Sequence, residues 1–389
     1  MPMSLMEPLD GKQAAAILAD ANRQGLSIVP RGSGTKLAWS TAAGAGGTYL
    51  STKRLNNPIQ HYAGDLVATL PSGATLAAAN ATLAQSGQWL PLDPSFADCA
   101  TIGGIVATND SGPRRYKYGS PRDLIIGVEI ALCDGRIAKA GGRVVKNVAG
   151  YDLSRLICGS FGTLAVITSA TFKLAPLPAA SRTVVANCAD LDEAARLALS
   201  VASQPVTPSA LEIEAPAPRL LIRFETTERA ADQMSAATRT LLDEQGASAD
   251  VIADSAEREI WKAHESTLWD HPGLVVKISV LPTDVESCLR LTAGALSSPD
   301  WCAIGRAALG VLLVRLNDDQ RGREVVPRLR QHVVDKGGSL VVLRGGVTED
   351  RRPQSQGDAA LRAVMDAVKA RFDPKSILPG LPWSLVPSP

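Results

Sequence analysis

The sequence has few of the residues that build metal centres and disulfide frameworks. It contains six cysteines and four histidines in 389 residues. The cysteines are scattered and form no Cys-x-x-Cys pair, which argues against an iron–sulfur cluster made by this chain and favours free thiols over disulfides. No two histidines have the spacing of ligands on a strand or a helix. We therefore expect no metal site.

The sequence also lacks an excess of charge and any long apolar run. Forty basic and 39 acidic side chains leave a net charge of +1, so nothing indicates a nucleic-acid partner. No uninterrupted apolar stretch approaches the ~18–20 residues of a membrane span. The first ten residues have neither a basic start nor a sustained apolar segment, so we expect no secretory signal and a cytoplasmic protein. The length favours two domains or one large bipartite domain.

Glycine is abundant in one region, residues 98–174, where it occurs singly or in pairs. Backbone N–H groups approach a ligand most closely at glycine, because it has no Cβ. Tight turns between buried strands are the alternative explanation. We favour a ligand cradle, since turns alone would hardly require six glycines together: Gly103, Gly104, Gly112, Gly119, Gly159 and Gly162.

A second glycine-containing loop precedes that region. A brief apolar strand at residues 27–30 runs directly into Arg31-Gly32-Ser33-Gly34-Thr35. Such a loop places consecutive N–H groups in a concave nest that suits a diphosphate, although an ordinary turn explains it equally well. Neither the nucleotidase loop pattern nor the Gly-x-Gly-x-x-Gly dinucleotide pattern is present.

Periodicity predicts the elements of the first half. We expect a helix at residues 11–24, a strand at 65–71, a helix at 75–86 and a hairpin at Asp134-Gly135. Residues 163–174 alternate in hydrophobicity, which is typical of a half-buried strand.

The second half follows a proline-containing linker at residues 175–180 and repeats one order of elements. Residues 182–252 and 273–343 each predict a β-α-β-β-α-β unit, and a helix at 255–270 lies between them. Two such units side by side would form one long antiparallel sheet with helices on one face. The fold class we expect is α+β, with domains at residues 1–178 and 179–356 and a C-terminal helix and tail at 357–389.

An ordered set of motifs resembles a known family, the FAD-linked oxidases of the vanillyl-alcohol-oxidase type. Within it, the sequence is most similar to the smaller FAD-binding subunit of bacterial glycolate oxidase. The similarity is dense from residue 29 to residue 178. The motifs are Ala100-Thr101-Ile102-Gly103-Gly104, Ala107-Thr108-Asn109, Tyr118-Gly119, Arg122-Asp123, Gly150-Tyr151-Asp152-Leu153 and Gly159-Ser160-Phe161-Gly162-Thr163-Leu164.

The resemblance implies a two-part FAD-binding domain of the PCMH type, followed by a cap domain, with FAD as the cofactor. It also implies that the tail at residues 372–380 folds back onto the FAD-binding domain, although the asparagine and arginine of the family's tail are missing here. It further places Lys146, Asn147, Tyr151 and Asp152 near the flavin. The cofactor-binding residues it implies are Pro30, Arg31, Gly32, Ser33, Gly34, Thr35, Pro94, Thr101, Ile102, Gly103, Gly104, Ala107, Thr108, Asn109, Ser111, Gly112, Gly162, Thr163, Val166 and Ile167.

No catalytic residue can be assigned from the sequence. Relatives that oxidise D-2-hydroxy acids carry a histidine-rich metal motif in the cap domain, and the corresponding residues 341–347 contain no metal ligand. His264 is expected to pack on a helix or face solvent, and Glu257 to be a solvated helix charge. Arg114, Arg115, Lys117 and Tyr118 could hold a substrate carboxylate, dock a partner's acidic surface or face solvent.

The resemblance implies a subunit of a glycolate oxidase complex. In that complex a larger FAD-binding subunit would oxidise glycolate and an iron–sulfur subunit would carry the electrons away, with any membrane association peripheral and through the complex. A self-sufficient FAD oxidoreductase of a 2-hydroxy acid or a sugar is one alternative. The other is a flavin-fold scaffold that no longer binds FAD.

Overall fold

The computed structural model describes residues 5–39, 47–142, 152–345 and 358–380. Residues 1–112, 118–177 and 357–389 form one compact unit, and residues 113–117 and 178–356 form a second. No helix among the described residues is long and apolar enough to cross a membrane.

The N-terminal half of the chain contributes short strands and short helices. They are β1 (Leu5–Met6), α1 (Gly11–Gln24), β2 (Ile28–Arg31), β3 (Thr48–Ser51), β4 (Gln60–Tyr62), β5 (Val67–Pro71), α2 (Leu76–Ala84), β6 (Gln88–Trp89), α3 (Ile102–Thr108), α4 (Arg115–Tyr118), α5 (Pro121–Leu124), β7 (Ile125–Ala131), β8 (Ile137–Gly141), α6 (Leu153–Ile157), β9 (Val166–Lys173) and β10 (Ala175–Pro176).

The strands of the first unit form two sheets and a short ribbon. A parallel sheet has the order β1-β3-β2, an antiparallel sheet has the order β4-β5-β9-β7-β8, and β10 pairs with β6. Helix α1 begins at its cap Asp10, whose side chain accepts from the Gln13 N–H, and ends at Gly25 in the left-handed conformation. The helix therefore has the bounds that the sequence predicts.

The prediction that residues 163–174 form a half-buried strand is wrong about burial. Strand β9 is the central strand of the five-stranded sheet, and its consecutive residues Val166 and Ile167 belong to two different hydrophobic clusters. Thr168 and Thr171 are buried as well. Small hydroxyl-bearing residues produced the alternation in hydrophobicity, although both faces of the strand are covered.

The hairpin between β7 and β8 forms where the sequence places it, but its loop is longer. The Leu132 N–H donates to the Arg136 carbonyl, which leaves three residues in the loop. Gly135 has a φ of 88°, a conformation that glycine adopts without strain.

The second unit contains the elements of the two predicted repeats. They are β11 (Ala180–Asn187), α7 (Leu191–Ala202), β12 (Ala210–Ala215), β13 (Arg219–Thr226), α8 (Glu228–Glu244), β14 (Ser248–Ile252), α9 (Asp254–Trp269), β15 (Leu274–Ser279), α10 (Val285–Ala295), β16 (Trp301–Arg306), β17 (Val311–Leu316), α11 (Gln320–Asp335) and β18 (Ser339–Arg344).

These strands form one antiparallel sheet of eight, in the order β14-β11-β13-β12-β16-β17-β15-β18. The β12–β16 pair joins the two repeats, so the predicted long sheet is confirmed. The repeat helices α7, α8, α10 and α11 pack on one face over a single aliphatic core. The linking helix α9 lies on the opposite face, where its polar side chains contact β11, β12 and β13.

The C-terminal helix α12 (Asp358–Phe372) and the tail after it belong to the first unit. The buried Lys369 ammonium donates to the Thr163 carbonyl at 2.8 Å and to Asp373. The Ile28 N–H of β2 donates to the Ile377 carbonyl at 2.7 Å, and Ile377 and Leu378 are buried beside α1. The tail therefore completes a hydrophobic core of the first unit.

All six cysteines are free. Four of them are buried, Cys188 is partly buried and Cys99 is exposed. Burial raises the pKa of the Cys158 thiol to about 12, so it stays protonated at neutral pH. The expected free thiols are confirmed.

Candidate functional site

A cleft in the first unit brings together the two glycine-containing regions of the sequence. The loop after β2 forms one side, and α3 and the start of β9 form another. The residues that line it are Pro30, Arg31, Gly32, Ser33, Gly34, Thr35, Lys36, Leu37, Thr52, Thr101, Gly103, Gly104, Ala107, Thr108, Phe161, Gly162, Ala165, Val166, Ile167 and Pro379.

The loop of residues 31–35 provides hydrogen-bond donors to the cleft. Strand pairing ends at Arg31, whose carbonyl accepts from the Thr52 N–H at 2.8 Å. Beyond it, the N–H groups of residues 32–35 donate no hydrogen bond within the described part of the chain. Gly32 has to be glycine, since a Cβ there would lie 2.1 Å from Thr101 Oγ1. Consecutive free N–H groups of this kind suit the oxygens of a diphosphate.

Helix α3 forms part of the surface of the cleft but provides few free hydrogen-bond donors. Thr101 caps the helix, with its hydroxyl 3.4 Å from the Gly104 N–H. The N–H groups of Ile102 and Gly103 are already used, because they donate to the carbonyls of Ala74 and Ser72 at 2.9 Å. These two N–H groups are therefore not available to a ligand in the cleft. The short bridge between residues 75 and 101, which the sequence does not reveal, is the reason.

Two glycines keep the cleft open. A Cβ at Gly104 would meet only Thr101 Oγ1, at 3.2 Å, and one at Gly162 would meet only the Pro30 ring, at 3.5 Å or more. Both positions line the cleft. Side chains there would enter the space that a flat cofactor needs, so the shape of the cleft fits such a ligand.

Other glycines of the 98–174 region are explained by packing. A Cβ at Gly112 would lie 1.9 Å from the Asp93 carbonyl, and one at Gly103 would lie 2.9 Å from the Ser72 side chain. Gly119 has a φ of 83° and packs on Asp123. Packing therefore accounts for glycine at these three positions, although Gly103 lies in helix α3 and also lines the cleft.

Fourteen of the twenty predicted cofactor-binding residues line the cleft: Pro30, Arg31, Gly32, Ser33, Gly34, Thr35, Thr101, Gly103, Gly104, Ala107, Thr108, Gly162, Val166 and Ile167. Six do not line it: Pro94, Ile102, Asn109, Ser111, Gly112 and Thr163. Six lining residues were not predicted: Lys36, Leu37, Thr52, Phe161, Ala165 and Pro379.

The residues outside the cleft have local structural roles. Asn109 ends α3 in the left-handed conformation, and its side-chain Oδ1 atom accepts from the Arg122 backbone N–H. Thr163 is buried, with its hydroxyl bonded to the Ser160 carbonyl. Ile102 is a fully buried core residue. Lys146, Asn147 and Tyr151, which the resemblance placed near the flavin, lie outside the described residues.

The second unit has a different concentration of polar groups, on the sheet face that carries α9. His264 is buried there, with one ring nitrogen 2.6 Å from Glu214 and the other 3.1 Å from Glu212. Arg306 lies 3.4 Å from the second Glu212 oxygen. Burial lowers the pKa of His264, but its hydrogen bonds to the two carboxylates outweigh burial and raise it overall.

The sequence interpretation of His264 therefore needs revision. The histidine packs on a helix, as expected, but it also bridges two carboxylates. The signal in the sequence was Glu212-Ile213-Glu214, because alternate residues of a strand point to the same face. Burial raises the pKa of Glu214, while the hydrogen bond and charge of His264 lower it overall.

Glu257 and Arg223 form a second buried pair on this face. Glu257 accepts from the hydroxyls of Ser181 and Thr183 at 2.6 and 2.7 Å and lies 3.3 Å from Arg223. The guanidinium of Arg223 stacks 3.9 Å from the Trp261 ring centroid. The expectation that Glu257 is a solvated helix charge is wrong, because it lies on the side of α9 that faces the sheet.

Arg114 is also bound within the second unit. Its guanidinium forms a two-pronged contact with the Glu225 carboxylate, at 2.6 Å for the terminal nitrogen, and Lys117 donates to the Glu225 carbonyl at 3.0 Å. Burial raises the pKa of Glu225, but Arg114 outweighs burial and lowers it overall. The Glu225 carboxylate of this chain therefore binds the Arg114 guanidinium, for which the sequence had suggested a substrate carboxylate or the acidic surface of a partner.

The end of β18, where the family's metal motif would fall, has a structural role in the residues described. Arg344 donates to the carbonyls of Leu268 and Trp269 at 3.1 and 3.2 Å, which closes the C-terminus of α9. No group of three or more histidine, cysteine, aspartate or glutamate side chains within the described ranges could hold a metal ion. Gly346 and Val347 lie outside those ranges.

The unbonded N–H groups of residues 32–35 and the glycines along the cleft suit a flat cofactor that carries a diphosphate. Two family profiles match the chain, "FAD binding domain" over residues 2–141 and "FAD linked oxidases, C-terminal domain" over residues 214–380. The chain belongs to the FAD-linked oxidases. It is a flavoprotein oxidoreductase with FAD as its cofactor.

Three named proteins are similar to this chain in sequence. The glycolate oxidase subunit GlcD of Bacillus subtilis is 29% identical over 97% of this chain and 88% of that protein. The glycolate oxidase subunit GlcE of Escherichia coli is 46% identical over 30% of this chain and 34% of that protein. The D-lactate dehydrogenase of Archaeoglobus fulgidus is 38% identical over 44% of this chain and 38% of that protein.

A solved structure of alkyldihydroxyacetonephosphate synthase has the same fold. It superposes with a TM-score of 0.71 at 18% identity, over 96% of this chain and 76% of that one. The fold class expected from the sequence is confirmed.

Proposed function

We propose that this chain is the FAD-binding subunit of a glycolate oxidase complex. The larger flavin subunit of that complex would oxidise the 2-hydroxy acid, and an iron–sulfur subunit would accept the electrons. Similarity to two glycolate oxidase subunits supports the substrate class. The higher identity over a shorter segment to GlcE supports assignment to the smaller flavin subunit.

The chemical character of the cleft carries this proposal. Oxidation of a 2-hydroxy acid delivers a hydride to FAD and requires a base that takes the hydroxyl proton. The described lining of the cleft contains glycines, hydroxyls, apolar side chains, Arg31 and Lys36, but no carboxylate and no imidazole. An arginine positions a carboxylate and does not accept a proton. The described lining therefore supports a proton acceptor supplied by another subunit.

The residues of this chain would hold the cofactor. The N–H groups of residues 32–35 would bind the diphosphate, and Gly104 and Gly162 would leave room for flat rings. We propose the same role for the other predicted cofactor-binding residues that line the cleft. FAD, when bound, supplies a two-electron acceptor.

The proposal is tested by comparing the isolated chain with the reconstituted complex. Loaded with FAD, the isolated chain should reduce a dye with glycolate or D-lactate about 10²–10⁴-fold more slowly than the complex, the range typical of general-base help. Adding the larger flavin subunit and the iron–sulfur subunit should restore turnover.

Other outcomes would contradict the proposal. Full turnover by the isolated chain would establish a stand-alone oxidoreductase with its own base. Reconstituted activity that persists when the chain carries no flavin would indicate a scaffold. Flavin content per subunit, measured after denaturation, distinguishes these outcomes.

A further inference from the structure

A buried lysine lies in the cleft beside the glycine loop. Lys36 directly follows the loop of residues 31–35 and lines the cleft. Its side chain is 4% exposed, and its ammonium lies 3.2 Å from the Asp110 carboxylate. Lys36 was not among the predicted cofactor-binding residues, because a lysine is not part of the glycine pattern.

The ammonium has more hydrogen-bonding capacity than its surroundings satisfy. An ammonium has three donors. Within the described chain, the Lys36 nitrogen is buried and makes no hydrogen bond of good geometry. Its contacts are the ion pair with Asp110 and the Trp39 ring face, whose centroid is 5.7 Å away. A buried charge with unused donors costs free energy unless another acceptor is present.

The Asp110 carboxylate is not dedicated to this lysine. Its Oδ2 atom, the same atom that lies near Lys36, accepts from the Ser95 N–H at 2.8 Å. Asp110 therefore has a structural role in the loop after α3 that does not depend on Lys36. The lysine, in contrast, lines the cleft beside residues 32–35, whose N–H groups donate no hydrogen bond within the described chain.

We propose that Lys36 is a cofactor-binding residue whose ammonium donates to an acceptor oxygen of FAD. Two kinds of oxygen have the required chemistry, a diphosphate oxygen and a ring carbonyl of the flavin. An oxygen of either kind would accept a hydrogen bond from the unused donors of the ammonium. It would thereby lower the free-energy cost of burying the ammonium in the protein that holds FAD. The inference rests on FAD binding and not on the substrate or the partner subunits.

The test is FAD affinity of the apo-protein, measured by flavin fluorescence titration, for the wild type and four variants. Lys36→Met should weaken FAD binding about tenfold or more, the loss expected for one hydrogen bond to a charged group. Lys36→Arg should recover part of the affinity. Asp110→Asn should leave it unchanged or make it tighter, because it removes a competing anion. Lys53→Met, an exposed lysine one residue beyond Thr52, is the matched control and should have no effect.

Two fragments of FAD identify the acceptor. If the acceptor is a phosphate oxygen, Lys36→Met should weaken binding of ADP and leave binding of riboflavin unchanged. If it is a ring carbonyl, the variant should weaken riboflavin binding and shift the visible spectrum of bound FAD. Either result supports the proposal.

A merely structural lysine would give a different pattern. Lys36→Met and Asp110→Asn would then lower the melting temperature of the apo-protein together and reduce FAD affinity equally. Equal FAD affinity in the wild type and a folded Lys36→Met variant would overturn the proposal as well. Circular dichroism of each apo-protein checks that the variants are folded.

Discussion

The two units of this protein treat polar groups in opposite ways. In the first, the cleft presents backbone N–H groups that donate no hydrogen bond within the described chain, and a buried ammonium whose anionic contact is a carboxylate shared with the Ser95 N–H. In the second, one sheet face buries many more charges, and most of these bind one another, as His264 does with Glu212 and Glu214 and Arg114 does with Glu225, although single atoms of Glu212 and Arg306 make no hydrogen bond within the described residues.

This contrast separates a binding site from a structural network. A buried charge is tolerated when another charge and its hydrogen bonds compensate for lost hydration. The charges of the second unit bind one another, so a ligand there would form few new favourable contacts. Donors without a protein acceptor in the first unit have the opposite effect, because a ligand that supplies acceptors forms those hydrogen bonds at a low cost in free energy. The more heavily charged region is therefore the less promising site.

The strongest test of the contrast is Gly104→Val in the cleft. We expect FAD affinity to fall about 100-fold, at the upper end of overpacking costs, because the branched side chain would occupy the cofactor space. Flavin released by denaturation of the purified protein measures the loss. The control is Gly294→Val, at an exposed helix position where an added Cβ would have no neighbour within 4 Å, and this variant should retain its flavin. Equal flavin content in the two variants would show that the cleft is not the FAD site.

Removing the central group of the charge network should destabilise the fold and leave cofactor binding intact. His264→Leu removes a shared partner of two carboxylates, Glu212 and Glu214, which keep Arg306 and Arg219 beside them. We therefore expect the free energy of unfolding to fall by at most about 3–5 kcal/mol. Urea unfolding monitored by circular dichroism measures this change. His332→Leu, which removes a single contact with Ser287, should cost only about 1 kcal/mol. A loss of FAD affinity in folded His264→Leu would contradict the separation of roles.

A smaller effect should appear in the pH dependence of stability. The pKa of His264 is raised, so its contribution is complete below its unfolded value of about 6.5 and is lost as the pH rises through the folded pKa. The pKa of Glu214 is lowered, so its contribution is present above about 4.3 and is lost as the pH falls through the folded pKa.

Stability should therefore be greatest between about pH 4.3 and 6.5 and decline above that window, with a limiting slope of about 1.4 kcal/mol per pH unit for one proton. Urea midpoints measured from pH 5 to 9 test this expectation. In His264→Leu the decline above pH 6.5 should disappear. An unchanged decline in that variant would assign it to another group.

Local patterns were enough to predict most elements of the second unit. Helix α7 has the predicted bounds, and both repeats were recognised from periodicity and turn residues. Each repeat is built from neighbouring segments of the chain, so local signals specify it well. The burial of β9 was not predictable in the same way, because it depends on two cores contributed by distant segments.

The cleft shows the same limit. The glycine loops identified its two main walls, since close approach of the backbone leaves a mark in the sequence. Lys36 and Thr52 are adjacent to those walls, but no glycine pattern in the sequence indicates them. Pro379 reaches the cleft only through the packing of the C-terminal tail, which pairing between Ile28 and Ile377 stabilises. Buried ion pairs such as Glu257 with Arg223 were missed because charge alone does not indicate which side of a helix is covered.

The tail has a consequence for synthesis of the protein on the ribosome. The hydrogen bond between Ile28 and Ile377 joins residues from opposite ends of the first unit, and residues 178–356 of the second unit are translated between β10 and α12. At 5–20 residues per second, this interval lasts about 10–40 s. During that time the buried surface of α1 lacks Ile377 and Leu378, which cover it in the folded chain. Pro379 is translated after them, so the lining of the cleft is complete only when the tail has been made.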